Sequence, residues 1–299
     1  MKKKKFLVIL LALIFILIAS TIMIKKFKLK TIDLVNIDVS KYITICDEIS
    51  DNKVQVNWKD VCAIVGALNN NKFSKVQDKE IYDVAAMFVT ENQGKFSLTP
   101  LKDVLTELGM DKKKISLVQT YISDLKYYGL TPEQTAPNTK YTNFIDSLTD
   151  SAIENYKKYK ILPSITISQA ILESSWGESR LSSEFNNLFG IKANSSWKGE
   201  SVSLKTNEYY NKTIVDKFRK YNSPKESIDD HGQFLYNNKR YRNQGVFDAN
   251  TYIYQAKALQ DAGYSTIEND KGEQVYAEYL IKIIKQYNLQ LIDSQCENN

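Results

Sequence analysis

The chain has 299 residues, 43% of them apolar and 25% charged, which is enough to bury a core and too apolar for a disordered protein. Its formal net charge of +5 comes from one end. Residues 1–30 hold 8 of the 40 basic residues and none of the 35 acidic ones, so residues 31–299 carry 32 basic and 35 acidic side chains, a net of −3. That balance excludes a nucleic-acid footprint. One histidine, His231, and three scattered cysteines, Cys46, Cys62 and Cys296, exclude a site of several histidine ligands and a disulfide framework. No metal or cofactor is expected, and pairing of Cys46 with Cys62 stays open.

The first element is a run without charge from Phe6 to Ile24, flanked by Lys2–Lys5 on one side and by Lys25, Lys26, Lys28 and Lys30 on the other. At about 1.5 Å per residue it spans roughly the 30 Å of a bilayer core. A cleaved signal peptide competes, with Ala19 and Ser20 near a cleavage position, but its apolar region is shorter, about 7 to 15 residues. The expectation is an uncleaved membrane helix over residues 1–30, attached to the cytoplasmic membrane.

Residues 31–128 read as short helices: Trp58–Leu68, Ile81–Val89, Leu101–Leu108 with Thr99 and Pro100 before it, and Ile115–Tyr128. No catalytic constellation occurs here, so the expectation is a helical spacer or interaction region with room for a protein partner. Residues 129–140, GLTPEQTAPNTK, carry two prolines, a glycine and three threonines and read as a linker.

From residue 141 to 293 the pattern is helix, helix, short hairpin, then three helices. Asp146–Tyr159 is followed by a helix opened by Pro163. On its wheel, Ile167, Ala170 and Ile171 lie to one side of Glu173, and Ile165, Leu172 and Trp176 to the other. A helix apolar on two sides is mostly buried. Glu173 then shares a narrow polar strip with Gln169, beside Gly177, whose missing side chain leaves room for an approaching group. Burial raises a carboxyl pKa, as a general acid near neutral pH requires; a structural pair with Arg180 is the alternative. Val202–Tyr210 alternates as a strand with Glu208 and Tyr210 on its more apolar face, and Ile214–Tyr221 returns. Ser223, Pro224 and Glu226 open the helix that carries His231, more simply a packed residue than a catalyst. The stripe of Tyr276, Tyr279, Leu280, Ile283, Ile284 and Tyr287 in the last helix reads as core.

Taken together, AILESSWGESRLS, NNLFGIKA, KTNEYYN, FRKYNSPKESIDDHGQFL and AGYST, in that order, resemble the glucosaminidase domain of glycoside hydrolase family 73. The resemblance covers about Asn143 to Ile292. It implies a mostly α, α+β, lysozyme-like catalytic domain with a short β-hairpin, acting on the peptidoglycan glycan strand outside the cytoplasmic membrane. It implies Glu173 as the general acid, Glu208 as the second carboxylate, and Tyr264 as a substrate contact. Trp176, Tyr210 and Gln169 are further candidates for substrate binding. Where many members read ESGWG, this chain has Ser175. Glycoside cleavage needs a protonated acid and a second group that stabilises the oxocarbenium-like centre or activates water. A lytic transglycosylase of the same fold and a non-catalytic wall-binding scaffold remain the alternatives.

Overall fold

The computed structural model describes Ile14, residues 31–208 and residues 212–296, without the side chains of 206–214. No helix among the described residues is long and apolar enough to cross a membrane. The Phe6–Ile24 run expected to do so lies, apart from Ile14, outside them.

The chain divides into two units. One takes residues up to 45, 58–88 and 99–126, and the other takes 46–57, 89–98 and 127 onward. Helix α1 (Val39–Ser50) runs from the first stretch into the second unit's 46–57. The first unit is built on α2 (Trp58–Leu68), nine of whose eleven residues are buried, which makes it the centre on which α3 (Asp78–Ala86) and α5 (Lys112–Asp124) pack. Helix α4 (Leu101–Glu107) contributes the buried Val104 and Leu105. The cap of α5 is Asp111, whose carboxylate accepts the Lys114 N–H at 2.8 Å. Lys59, buried, donates to the Lys126 carbonyl at 2.8 Å, and loss of hydration pulls its ammonium down to about 8.

Residues 87–98 correct the all-helical expectation for this region. The helix read over Ile81–Val89 stops at Ala86, and β1 (Val89–Asn92) pairs antiparallel with β2 (Lys95–Leu98). Gln93 and Gly94, both with positive φ (52° and 78°), make the two-residue turn that suits the twist of a hairpin.

The second unit is organised around α8 (Pro163–Ser174). Ten of its twelve residues are buried, and α7 (Lys140–Tyr159), α12 (Tyr252–Asp261), α13 (Tyr276–Gln286) and α14 (Gln290–Cys296) pack against it. Helix α7 starts six residues before its expected position because Thr139 caps it, accepting the Thr142 N–H at 3.1 Å. Residues 129–140, expected to be a linker, are folded. They form a helical turn, α6 (Pro132–Thr135), and Gln134 accepts hydrogen bonds from Gln286 and Tyr287, each at 2.7 Å. Helices α9 (Arg180–Phe185), α10 (Pro224–Asn237) and α11 (Lys239–Asn243) flank the expected hairpin, β3 (Ser201–Glu208) and β4 (Lys212–Arg219), which pairs Glu208 with Lys212.

Residues 46–57 are tied into this unit by polar bonds. Asp47 accepts from Tyr252 at 2.6 Å and pairs with Lys285 at 3.0 Å, and the Asn250 N–H donates to Asn52 at 2.8 Å. Cys46, Cys62 and Cys296 are all free thiols.

The N-terminus of α8 is capped from a distance. Asp293 on α14 accepts the Ser164 N–H at 2.9 Å and the Ser164 hydroxyl at 2.5 Å. Burial pushes the Asp293 carboxyl up to about 7, despite both bonds. A folded pKa above the unfolded one favours folding while the group is protonated, and that contribution is lost as pH rises through 7. In denaturant melts, the stability of Asp293→Asn relative to the wild type is expected to rise between pH 5 and pH 8 and to level off above that. A difference independent of pH would show that Asp293 does not titrate in this range.

Candidate active site

Glu173 is the only charged residue of α8 and stands in its last turn. Solvent reaches its side chain, yet enough protein surrounds it that lost hydration raises its carboxyl above the ordinary glutamate range. The Tyr276 hydroxyl donates to Oε1 at 3.3 Å and offsets part of that rise. Arg180, the alternative partner in the sequence, is engaged with Glu184 one turn further on, Nε to Oε2 3.1 Å.

After Glu173 the backbone turns sharply. Ser175, Trp176 and Gly177 all have left-handed φ, at 50°, 63° and 75°. Each of the two non-glycine residues there, Ser175 and Trp176, costs roughly 1–2 kcal/mol. The turn is held by the Ser174 hydroxyl, which donates to the Ala170 carbonyl at 2.5 Å and accepts the Gly177 N–H at 2.7 Å. Gly177 does not leave space for a ligand, contrary to the sequence expectation. A Cβ on it would lie 2.7 Å from the Phe144 ring. Trp176 packs edge-on against Tyr141 and Tyr287, both at 4.7 Å, and against Phe144 at 5.9 Å, and it stays only partly buried.

Behind Glu173 runs a line of rings. Tyr276 stacks on Tyr264 (5.2 Å, 24°), the Tyr264 hydroxyl lies 3.2 Å from His231 Nε2, and His231 stacks on Phe189 (3.9 Å, 10°). Full burial brings His231 down to about 3, so it is neutral and structural. Tyr264 is half-buried, its backbone N–H closing on the Leu259 carbonyl at 3.0 Å where α12 ends. Gln169 departs from its expected role: it is fully buried, out of reach of any substrate, and donates its amide to the Tyr276 hydroxyl at 2.9 Å.

The hairpin is fixed at its base. Arg219 binds both oxygens of Asp230 on α10, at 2.7 and 2.6 Å, while Tyr221 donates to the same carboxylate at 2.5 Å. Asn187 donates to the Ile191 and Arg219 carbonyls at 3.0 and 2.8 Å and accepts the Ile191 N–H at 3.1 Å. NNLFG is thus a brace for the hairpin. Glu208 ends β3, its side chain lying outside the described ones, and Tyr210 lies outside the described residues. Two open grooves of about 720 and 550 Å³ share Trp197, Asp230 and Gln233, and Glu173 lines neither. Burial and hydrogen bonding, rather than cavity volume, single out Glu173.

Residues 149–289 match the family model described as mannosyl-glycoprotein endo-beta-N-acetylglucosaminidase. The catalytic domain of the autolysin Auto from Listeria monocytogenes is 36% identical, with a TM-score of 0.46, and the match covers 52% of this chain and 89% of that one. This chain belongs to the glucosaminidase family, glycoside hydrolase family 73. The exo-glucosaminidase LytG of Bacillus subtilis is 44% identical over 158 residues, which are 50% of this chain and 52% of LytG. The peptidoglycan hydrolase FlgJ of Vibrio cholerae is 33% identical over 174 residues, 54% of this chain and 50% of FlgJ. The chain thus spans about half the length of these curated relatives.

The residue that sequence reading missed is Tyr276, assigned to the core stripe. It is core, with no exposed surface, but its hydroxyl meets Glu173. A tyrosine rather than a phenylalanine at a fully buried stripe position was the available signal, because a buried hydroxyl needs a partner.

Gly177→Ala is expected to lose about 1–3 kcal/mol of stability, from left-handed strain and contact with Phe144. Thermal melting checks it. An unchanged melting temperature would restore the view that Gly177 serves only to leave space for a ligand.

Proposed function

We propose that this glucosaminidase-family chain is a peptidoglycan hydrolase that cleaves the β-1,4 bond between N-acetylglucosamine and N-acetylmuramic acid within the glycan strand. Glu173 acts as the general acid on the glycosidic oxygen. Glu208 acts as the second carboxylate, stabilising the oxocarbenium-like centre or activating water. The observation that carries this reading is the setting of Glu173: one carboxyl at the open end of an otherwise buried helix, with its proton affinity raised. A raised proton affinity is the direction a general acid requires.

Residues 141–293 form, in this reading, a lysozyme-like glucosaminidase domain, with Tyr264 and Trp176 beside the acid and Tyr210 beside Glu208 as sugar contacts. Residues 31–128 serve as a helical interaction region, and residues 1–30 anchor the chain so that the catalytic part faces the wall. The lysines on both sides of the Phe6–Ile24 run and its length support the anchor. The peptidoglycan hydrolase and exo-glucosaminidase names of the relatives support the substrate class.

Mass spectrometry of peptidoglycan digested by the purified chain tests the reaction. Products ending in a reducing N-acetylglucosamine are expected. Anhydro-muropeptides would instead assign a lytic transglycosylase, and binding without cleavage a scaffold. Glu173→Gln keeps the shape but has no proton to donate, so turnover is expected to fall by at least roughly 10²-fold, and Glu208→Gln by a similar factor. Because the acid works in its protonated form, the wild-type rate should decline on the alkaline side at a pH above the ordinary glutamate range. Full activity in Glu173→Gln would remove the assignment.

A further inference from the structure

Glu173 and Gln169 stand one turn apart on α8, and Tyr276 of α13 bridges them. The Gln169 amide donates to the Tyr276 hydroxyl at 2.9 Å, and that hydroxyl donates to Glu173 Oε1 at 3.3 Å. Gln169 and Tyr276 have no exposed surface, so water does not compete for the bond between them, and the phenol that donates to Glu173 is itself shielded. A phenol has a single proton to give. With the amide N–H already pointing at the phenol oxygen, that proton is directed to the carboxylate. The ring cannot swing away, because it stacks on Tyr264, which is held in turn by His231.

We infer that Tyr276, its hydroxyl aimed by Gln169, is a positioning residue for Glu173: it pins Oε1 as a hydrogen-bond acceptor and so leaves Oε2 as the oxygen that carries the acid proton. This rests on the reading of Glu173 as the general acid. The bond also has an electrostatic side. A donor to the ionised form favours that form, so it restrains the rise that burial imposes on the carboxyl. Among the described residues, the ionisable groups facing Glu173 are two phenols, Tyr276 on α13 and Tyr264 beyond the end of α12, and both stay protonated because burial raises them well above the ordinary tyrosine value. Neither brings a charge that competes with the hydrogen bond. The arrangement separates two tasks in one carboxyl group: one oxygen fixes the geometry and the other transfers the proton.

The test combines kinetics with a direct titration of Glu173 in the full chain, followed by carbon NMR of side-chain carboxyl-labelled glutamate and assigned with Glu173→Gln. Tyr276→Phe keeps the ring stack and removes only the hydroxyl. Its Glu173 midpoint is expected to move to higher pH, with the alkaline limb of the rate profile moving alongside. At the optimum, kcat should fall roughly 10- to 100-fold with little change in KM, the scale of a misplaced reacting group. Gln169→Met, which leaves the phenol in place without its aim, is expected to shift the midpoint in the same direction by less, and it serves as the reading if Tyr276→Phe does not fold. A midpoint unchanged in the folded variants overturns the inference whatever the activity. A raised midpoint combined with an active Glu173→Gln overturns the acid assignment, and with it the proton-carrying role of Oε2.

Discussion

Burial of α8 along nearly its whole length is the constraint from which the rest of the second unit follows. A helix surrounded by α7, α12, α13 and α14 has no solvent for its terminal backbone groups or for a charge along its sides. Each terminus is therefore satisfied by protein. Asp293 accepts the Ser164 N–H at the start, and at the end Ser174 bonds back to Ala170 and forward to Gly177. The single charge is admitted only in the last turn, where the chain opens to solvent. Any shift of α8 along its axis would strip Asp293 from Ser164 and move Glu173 away from Tyr276 together.

The polar groups near Glu173 form a graded series. At the far end His231 is neutral and sealed against Phe189. Tyr264, half-buried, and Tyr276, fully buried, follow as phenols, and the carboxyl is the most exposed of the series. Low polarity behind the acid and water in front of it is the combination that keeps a glutamate protonated yet able to exchange its proton. The hairpin is anchored by a separate device, the Arg219 and Asp230 pair with Tyr221 and Asn187, which sets its base against α10 without drawing on the groups around Glu173. A charged pair that is mostly shielded from solvent and hydrogen-bonded on both oxygens holds its geometry better than an exposed one such as Lys140 with Glu178.

Glu173, α8 and the β3–β4 hairpin were legible because local patterns carry them: apolar residues on both sides of one carboxylate, and alternation along Val202–Tyr210. The β1–β2 hairpin was not, since Thr90, Glu91 and Asn92 are all exposed and leave no alternation to read. Gly177 was read as a gap because its neighbour, Phe144, comes from a different helix. Gln169 was placed in the right strip but given the wrong task, since only the packing of α13 shows that Tyr276 closes over it. The Asp293 cap had no local sign at all, its partner standing 129 residues earlier.

Residues 46–57 carry a consequence for how the protein is made. Asp47 and its partner Tyr252 are separated by 205 positions, and Asn52 and Asn250 by 198. During synthesis at about 5–20 residues per second, this early segment leaves the ribosome at least roughly ten seconds before the helices that receive it. Its polar groups stay in water until Tyr252 and Lys285 arrive, so the second unit cannot close progressively from its N-terminal end. Completion waits for almost the last helix, and contacts of such long range slow the final step. A chain released early, short of Lys285, would keep α8 and Glu173 in its sequence but lack the groups that hold them in place.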